Sequence, residues 1–171
     1  MRSSASGRLR IRAATAGDVR LILGFIRGLA EYERAPEKAV ATEADLLRDG
    51  FSGTPKFRVV IAEWEGQPAG FAFFFFNYST WNGRPGLYLE DLFVYPEFRG
   101  RGIGKALLVH LAGIAVEENC ARFDWQVLDW NTPAIEFYKS LGASVMQEWL
   151  TMRVEGAALK KLAAEAITTT H

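Results

Sequence analysis

Four consecutive phenylalanines, Phe73-Phe74-Phe75-Phe76, lie inside an apolar run over residues 69–78. Side chains along a strand alternate between its two faces, so an unbroken aromatic run needs cover on both. A sheet packed between helices supplies that cover, and a subunit interface is the other arrangement that would. The run follows a second apolar stretch, residues 57–64, across Glu65-Gly66-Gln67-Pro68. That compact turn predicts an antiparallel hairpin. With 171 residues, 49% of them hydrophobic, the chain can bury one such core without a disulfide or structural metal.

The flanking segments read as helices and further strands. Residues 9–13 alternate apolar side chains with arginine, as a half-buried strand does. Thr15 and Asp18 form a capping-box pattern ahead of Val19, Ile22, Leu23, Ile26, Leu29 and Ala30, whose helical spacing predicts a helix to about Tyr32. Thr42 and Asp45 open a shorter helix that stops at Gly50. Strands are predicted over 86–94 and 123–128, and a long helix over 102–119. Pro133 and Gly142 bracket a short helix over 134–141. A closing strand over 145–154 and a terminal helix over about 157–166 complete the order β-α-α-β-β-β-α-β-α-β-α. Residues 1–8 and 168–171 read as frayed ends. The whole predicts a single α/β (α+β) domain spanning 1–171, with its core over about 9–154.

Several function classes are disfavoured. Twenty basic and twenty acidic residues cancel, so no broad positive surface awaits nucleic acid. The apolar stretches fall short of the roughly 20 residues that a bilayer needs, and no apolar leader follows Met1. The expectation is a cytoplasmic protein without membrane partners. One cysteine, Cys120, and two distant histidines, His110 and His171, are a poor donor set for a metal.

The strongest chemical signal is Arg99-Gly100-Arg101-Gly102-Ile103-Gly104-Lys105, between a predicted strand and the long helix. Glycines let a ligand approach the backbone, and the amides of a helix's first turn point outward with the positive end of the dipole behind them. Such a turn holds a diphosphate. A dinucleotide fingerprint would need glycine in place of Lys105; a P-loop would need glycine at Arg99 and Ser or Thr at Ala106. Neither fits.

Residues 99–104 match the R/Q-x-x-G-x-G/A signature of the GNAT superfamily of N-acetyltransferases. From about Ile11 to Ala143 the chain resembles the diamine (spermidine/spermine) acetyltransferase family, which includes the thialysine acetyltransferases. The matching stretches are Ile11-Arg12-Ala13-Ala14-Thr15, Leu29-Ala30-Glu31-Tyr32-Glu33, Leu46-Leu47-Arg48-Asp49-Gly50-Phe51, Tyr88-Leu89-Glu90-Asp91-Leu92-Phe93-Val94 and Asn131-Thr132-Pro133-Ala134-Ile135-Glu136-Phe137-Tyr138-Lys139. The resemblance implies a GNAT-like mixed, mostly antiparallel central sheet with helices on both faces. It also implies acetyl-CoA as cosubstrate, a small cationic amine as acceptor, and a homodimer.

The resemblance gives residues roles. Cofactor contacts fall to Leu92, Phe93 and Val94, to Arg99, Gly100, Arg101, Gly102, Ile103, Gly104 and Lys105, and to Asn131, Thr132, Pro133, Ala134 and Tyr138. Glu90 maps onto a carboxylate that meets the acceptor amine and takes its proton directly or through water; a plain salt bridge is the competing reading. Strand alternation places Asp91 on the opposite face, in a structural role. Tyr138 is the candidate general acid, because a phenol keeps its proton at neutral pH and can pass it to a thiolate; helix packing is the alternative. Substrate contacts fall to Tyr32, Glu33, Glu90, Asp124, Trp125, Gln126 and Glu148, although Asp124 departs from the family pattern and the chain after Ala143 aligns poorly. A protein N-terminal or lysine acetyltransferase, or a CoA-binding regulator without catalysis, are the other readings.

Overall fold

The structure, a computed structural model, describes residues 7–165. The chain divides after Leu128 into two compact units. The sequence expectations at residues 1–6 and 166–171 lie outside the described residues.

The first unit is built on a five-stranded sheet of order β1-β2-β3-β4-β5. Its strands are β1 (Leu9–Ala13), β2 (Arg58–Trp64), β3 (Gln67–Ser79), β4 (Arg84–Val94) and β5 (Phe123–Trp125). The first four pair antiparallel, and β5 pairs parallel to β4. Parallel neighbours need a crossover, and α3 (Ile103–Glu117) provides it. Two more helices, α1 (Val19–Tyr32) and α2 (Glu43–Gly50), precede β2.

Their starts follow the sequence pattern. The Thr15 amide donates to the Asp18 carboxylate at 2.8 Å, opening a 3-10 turn that runs into α1. At α2 the Thr42 amide donates to Asp45 at 2.9 Å while the Asp45 amide donates to the Thr42 hydroxyl at 3.2 Å. Each box satisfies donors that a helix start leaves open.

The phenylalanine run is divided between the two faces of the sheet. Phe71 and Phe73 join Ile22, Leu23, Phe25, Leu46, Val59, Ile61 and Phe93 in the core beneath α1 and α2, with Phe25 and Phe71 stacked at 5.0 Å. Ala72 and Phe74 have the opposite parity and are buried on the other face. There α3 packs against β3 and β4 and buries Ile103, Leu107 and Leu111. Helices thus cover both faces of the sheet.

The second unit contains α4 (Thr132–Ser140) and α5 (Gly156–Ala164). Asn131 caps α4 by accepting from the Ala134 amide at 3.4 Å, and Gly142, at φ 95°, follows its end. The expected closing strand over 145–154 is not formed. This segment has no helix or strand, and Leu150 and Met152 are 83% and 89% exposed. Alternating apolar residues favour a strand only where a neighbouring strand supplies its hydrogen bonds.

Candidate active site

The β4–α3 turn is shaped by its glycines. After a 3-10 turn at Pro96–Phe98, Arg99 is extended, and both Gly100 and Gly102 adopt φ 76°. L side chains rarely adopt this left-handed region. A Cβ at Gly100, Gly102 or Gly104 would meet nothing within 4 Å, so the space over the turn is open. The first bond of α3 runs from the Ala106 amide to the Gly102 carbonyl at 2.9 Å. The amides of Ile103, Gly104 and Lys105 therefore lie ahead of the helical ladder at the positive end of the dipole. Backbone alone can hold a diphosphate here.

The two arginines of the turn lie over aromatic rings. Arg101 sits over Trp64 at 5.3 Å and over Phe98 at 5.6 Å. Arg99 sits over Tyr32 at 5.0 Å and over Phe93 at 5.6 Å, and its Nε donates to the Val94 carbonyl at 3.0 Å. This brings the last residue of α1 to the turn.

The strand feeding the turn carries a bulge. Phe73 pairs with Asp91 and Phe74 with Leu89, so Glu90 is an extra residue in β4. The alternation expected from sequence is interrupted there. Asp91 falls on the α1 face with Phe73 and Phe93, while Glu90 is exposed. Burial raises the Asp91 carboxyl to about 7, helped by the negative charges of Glu90 and Glu33. Glu33, the C-cap of α1, is itself pushed up by burial. Tyr32, Glu33, Glu90 and Asp91 thus gather around the end of α1 and the bulge. The sequence reading gave Asp91 a structural role, and the structure adds that its carboxyl is held near neutrality by burial. Adjacent acids just ahead of the cofactor segment were the available signal.

Beyond the bulge, β4 presents backbone donors. The Tyr95 amide donates to the Ala69 carbonyl at 2.8 Å, so alternate amides, at Phe93 and Asp91, face β3. The amides of Leu92 and Val94 face the opposite edge. β5 pairs only with Leu87, Tyr88 and Leu89 and stops short of them. Hydrogen-bond donors on that edge are suited to an oxyanion.

The remaining predicted residues are spread more widely. Asp124 on β5 forms an ion pair with Arg122 at 3.3 Å. Trp125 leans on Phe123 with ring centroids 5.0 Å apart, and Gln126 follows the end of a strand shorter than expected. In the second unit Asn131 caps α4 and Thr132, Pro133 and Ala134 form its first turn. Tyr138 lies further along α4 beside Phe137, at 5.6 Å between ring centroids, and Glu148 is in the irregular segment.

A mixed sheet with a bulged strand running into a glycine turn and helix is the framework of an acyl carrier-dependent transferase. The chain belongs to the acetyltransferase (GNAT) family, matching it over residues 22–143. It is 41% identical over 166 residues to thialysine N-epsilon-acetyltransferase from Sus scrofa, covering 91% of this chain and 97% of that protein. It is 39% identical over 150 residues to human spermidine/spermine N(1)-acetyltransferase-like protein 1, covering 84% of this chain and 21% of that protein. Among solved structures, an integron cassette protein from the mobile metagenome of V. cholerae superposes with a TM-score of 0.78. Its sequence identity is 34%, over 91% of this chain and 98% of that one. The protein is therefore an acyltransferase, and acetyl-CoA is the cosubstrate its family uses.

Proposed function

We propose that the protein acetylates a primary amine of a small cationic acceptor, a polyamine, a diamine or a thialysine-like amino acid. The observation that carries this reading is the gathering of Glu33, Glu90 and Asp91 beside the glycine turn, because clustered carboxylates suit an ammonium. The names of the relatives support the same acceptor class. The family match crosses the boundary after Leu128, which supports reading the two units as one N-acetyltransferase domain.

Acetyl-CoA supplies the acyl group as a thioester. The amides of Ile103, Gly104 and Lys105 hold its diphosphate. Arg99, Gly100, Arg101 and Gly102 shape the turn around it. Glu90 and Asp91 orient the acceptor and take the proton that its ammonium must lose before the nitrogen can attack. Leu92 and Val94 offer amides to the carbonyl oxygen, and Tyr138 returns a proton to the departing thiolate. Asn131, Thr132, Pro133 and Ala134 contact the carrier. Tyr32, Asp124, Trp125, Gln126 and Glu148 set acceptor preference. The assignments in the second unit rest on the chemistry of these groups and on the resemblance of the 131–139 stretch. Attack is direct, since the Cys120 thiol is pushed up by burial and is a poor nucleophile at neutral pH. By the same resemblance the enzyme works as a homodimer, and its composition supports a cytoplasmic enzyme without a metal.

Thiol release measured across polyamines, diamines, thialysine and peptides at fixed acetyl-CoA tests this function. Release with small polycations and not with peptides is expected. Peptide-only turnover would move the acceptor to proteins, and binding of acetyl-CoA with no release to any amine would end the enzymatic reading for this chain.

A further inference from the structure

Arg99 has its side chain committed on three sides. Its guanidinium covers the Tyr32 ring at 5.0 Å and the Phe93 ring at 5.6 Å, and its Nε donates to the Val94 carbonyl at 3.0 Å. These partners come from different parts of the site. Tyr32 ends α1 beside Glu33, Phe93 lies in the core under α1, and Val94 is the last residue of β4. A cation between two aromatic faces contributes about 1 kcal/mol or more, and a planar guanidinium can cover two rings while its Nε stays hydrogen-bonded, which a compact ammonium cannot do.

Gly28 adds a second constraint on the same ring. A Cβ there would come within 2.8 Å of Phe93, so α1 approaches β4 closely enough to fix that ring. Arg99 thus rests on a rigid surface on one side and on a helix end on the other. Side-chain reach toward a diphosphate is not needed from it, because the first-turn amides of α3 already face open space.

We propose that Arg99 is a positioning residue for the acceptor, a strut that sets Tyr32 and the adjoining Glu33 against the bulge of β4 rather than a ligand of the diphosphate. This rests on the proposed amine acetyltransferase function and adds a determinant of acceptor affinity. The strut joins the two halves of the reaction, since the loop that grips the carrier also holds the end of α1 in place.

Full-length Arg99→Met, Arg99→Lys, Tyr32→Leu and the Arg99→Met/Tyr32→Leu double variant test it. Acceptor KM and direct calorimetric binding would be measured with spermidine and with thialysine at saturating coenzyme A or acetyl-CoA, and coenzyme A affinity separately. Arg99→Met should raise acceptor KM and Kd about tenfold, the equivalent of two lost stacks, with coenzyme A affinity within about twofold of wild type. Arg99→Lys should recover at most part of the loss, because an ammonium can sit over one ring but cannot cover both rings and reach the Val94 carbonyl at once. The double variant should be no worse than the weaker single, as expected for two residues acting through one contact. Loss of coenzyme A affinity with unchanged acceptor KM would make Arg99 a phosphate ligand and overturn the strut. If the wild type neither binds nor acetylates any amine, the function and the strut fall together. Turnover by the wild type with additive single variants removes the strut alone.

Discussion

Asp91 carries an electrostatic cost at neutral pH. Its carboxyl is raised to about 7 by burial and by the nearby charges of Glu90 and Glu33. A raised carboxyl stabilises the fold in its protonated form. That contribution is complete below about pH 4 and is lost as the pH rises through 7. Asp91→Asn, which mimics the protonated acid, should therefore be more stable than wild type at pH 8 by on the order of 2 kcal/mol. The advantage should shrink toward pH 4. Urea melts at both pH values check it, and a constant difference would mean that Asp91 does not titrate in this range. Acetylation by the same variant should fall as stability rises, the usual exchange at a strained site. Tyr138 makes a separate prediction at this scale. Tyr138→Phe should cut kcat about a hundredfold, the value of a positioned acid, with coenzyme A affinity within about twofold. Unchanged kcat would remove the phenol from the mechanism.

At the scale of elements, the glycine turn offers the sharpest test. Gly102 combines φ 76° with open space above it. Gly102→Val should abolish measurable coenzyme A binding, first by straining the N-cap of α3 and then by filling the approach to its amides. Unaltered affinity by calorimetry would put the diphosphate elsewhere. This turn was legible in the sequence because glycine spacing reports backbone conformation directly. So were α1 and α2, whose capping boxes at Thr15/Asp18 and Thr42/Asp45 and apolar spacing are local signals. The bulge was not legible. Leu87-Tyr88-Leu89-Glu90-Asp91-Leu92-Phe93 reads as an ordinary strand, and the extra residue emerges only from the register against Phe73 and Phe74. The same inserted residue sets Asp91 on the α1 face with Phe93 while Leu89 turns to the other face. The 145–154 segment fails in the opposite way, having strand-like composition but no strand. The Arg99 stack joins residues 67 positions apart from its Tyr32 partner and had no local sign.

At the scale of the whole molecule, the balance of charge separates the acceptor classes. Twenty basic and twenty acidic residues leave no net field to draw a cation from a distance. On the proposed function, attraction comes from the local cluster of Glu33, Glu90 and Asp91, and it acts over about one Debye length, roughly 10 Å at 0.1 M salt. A short polycation fits within that range and carries several charges into it, whereas a monoamine carries one. Between 20 and 200 mM NaCl, kcat/KM for spermidine should fall about threefold, and for a monoamine by less than about 1.5-fold. Raising the pH from 6 to 8 ionises Asp91 and should steepen the spermidine slope, because the cluster gains a negative charge as the carboxyl passes its midpoint near 7. Steady-state kinetics at the two pH values check both effects. Equal salt slopes for the polycation and the monoamine would show that the carboxylates do not face the acceptor, and would shift preference to a substrate recognised by shape.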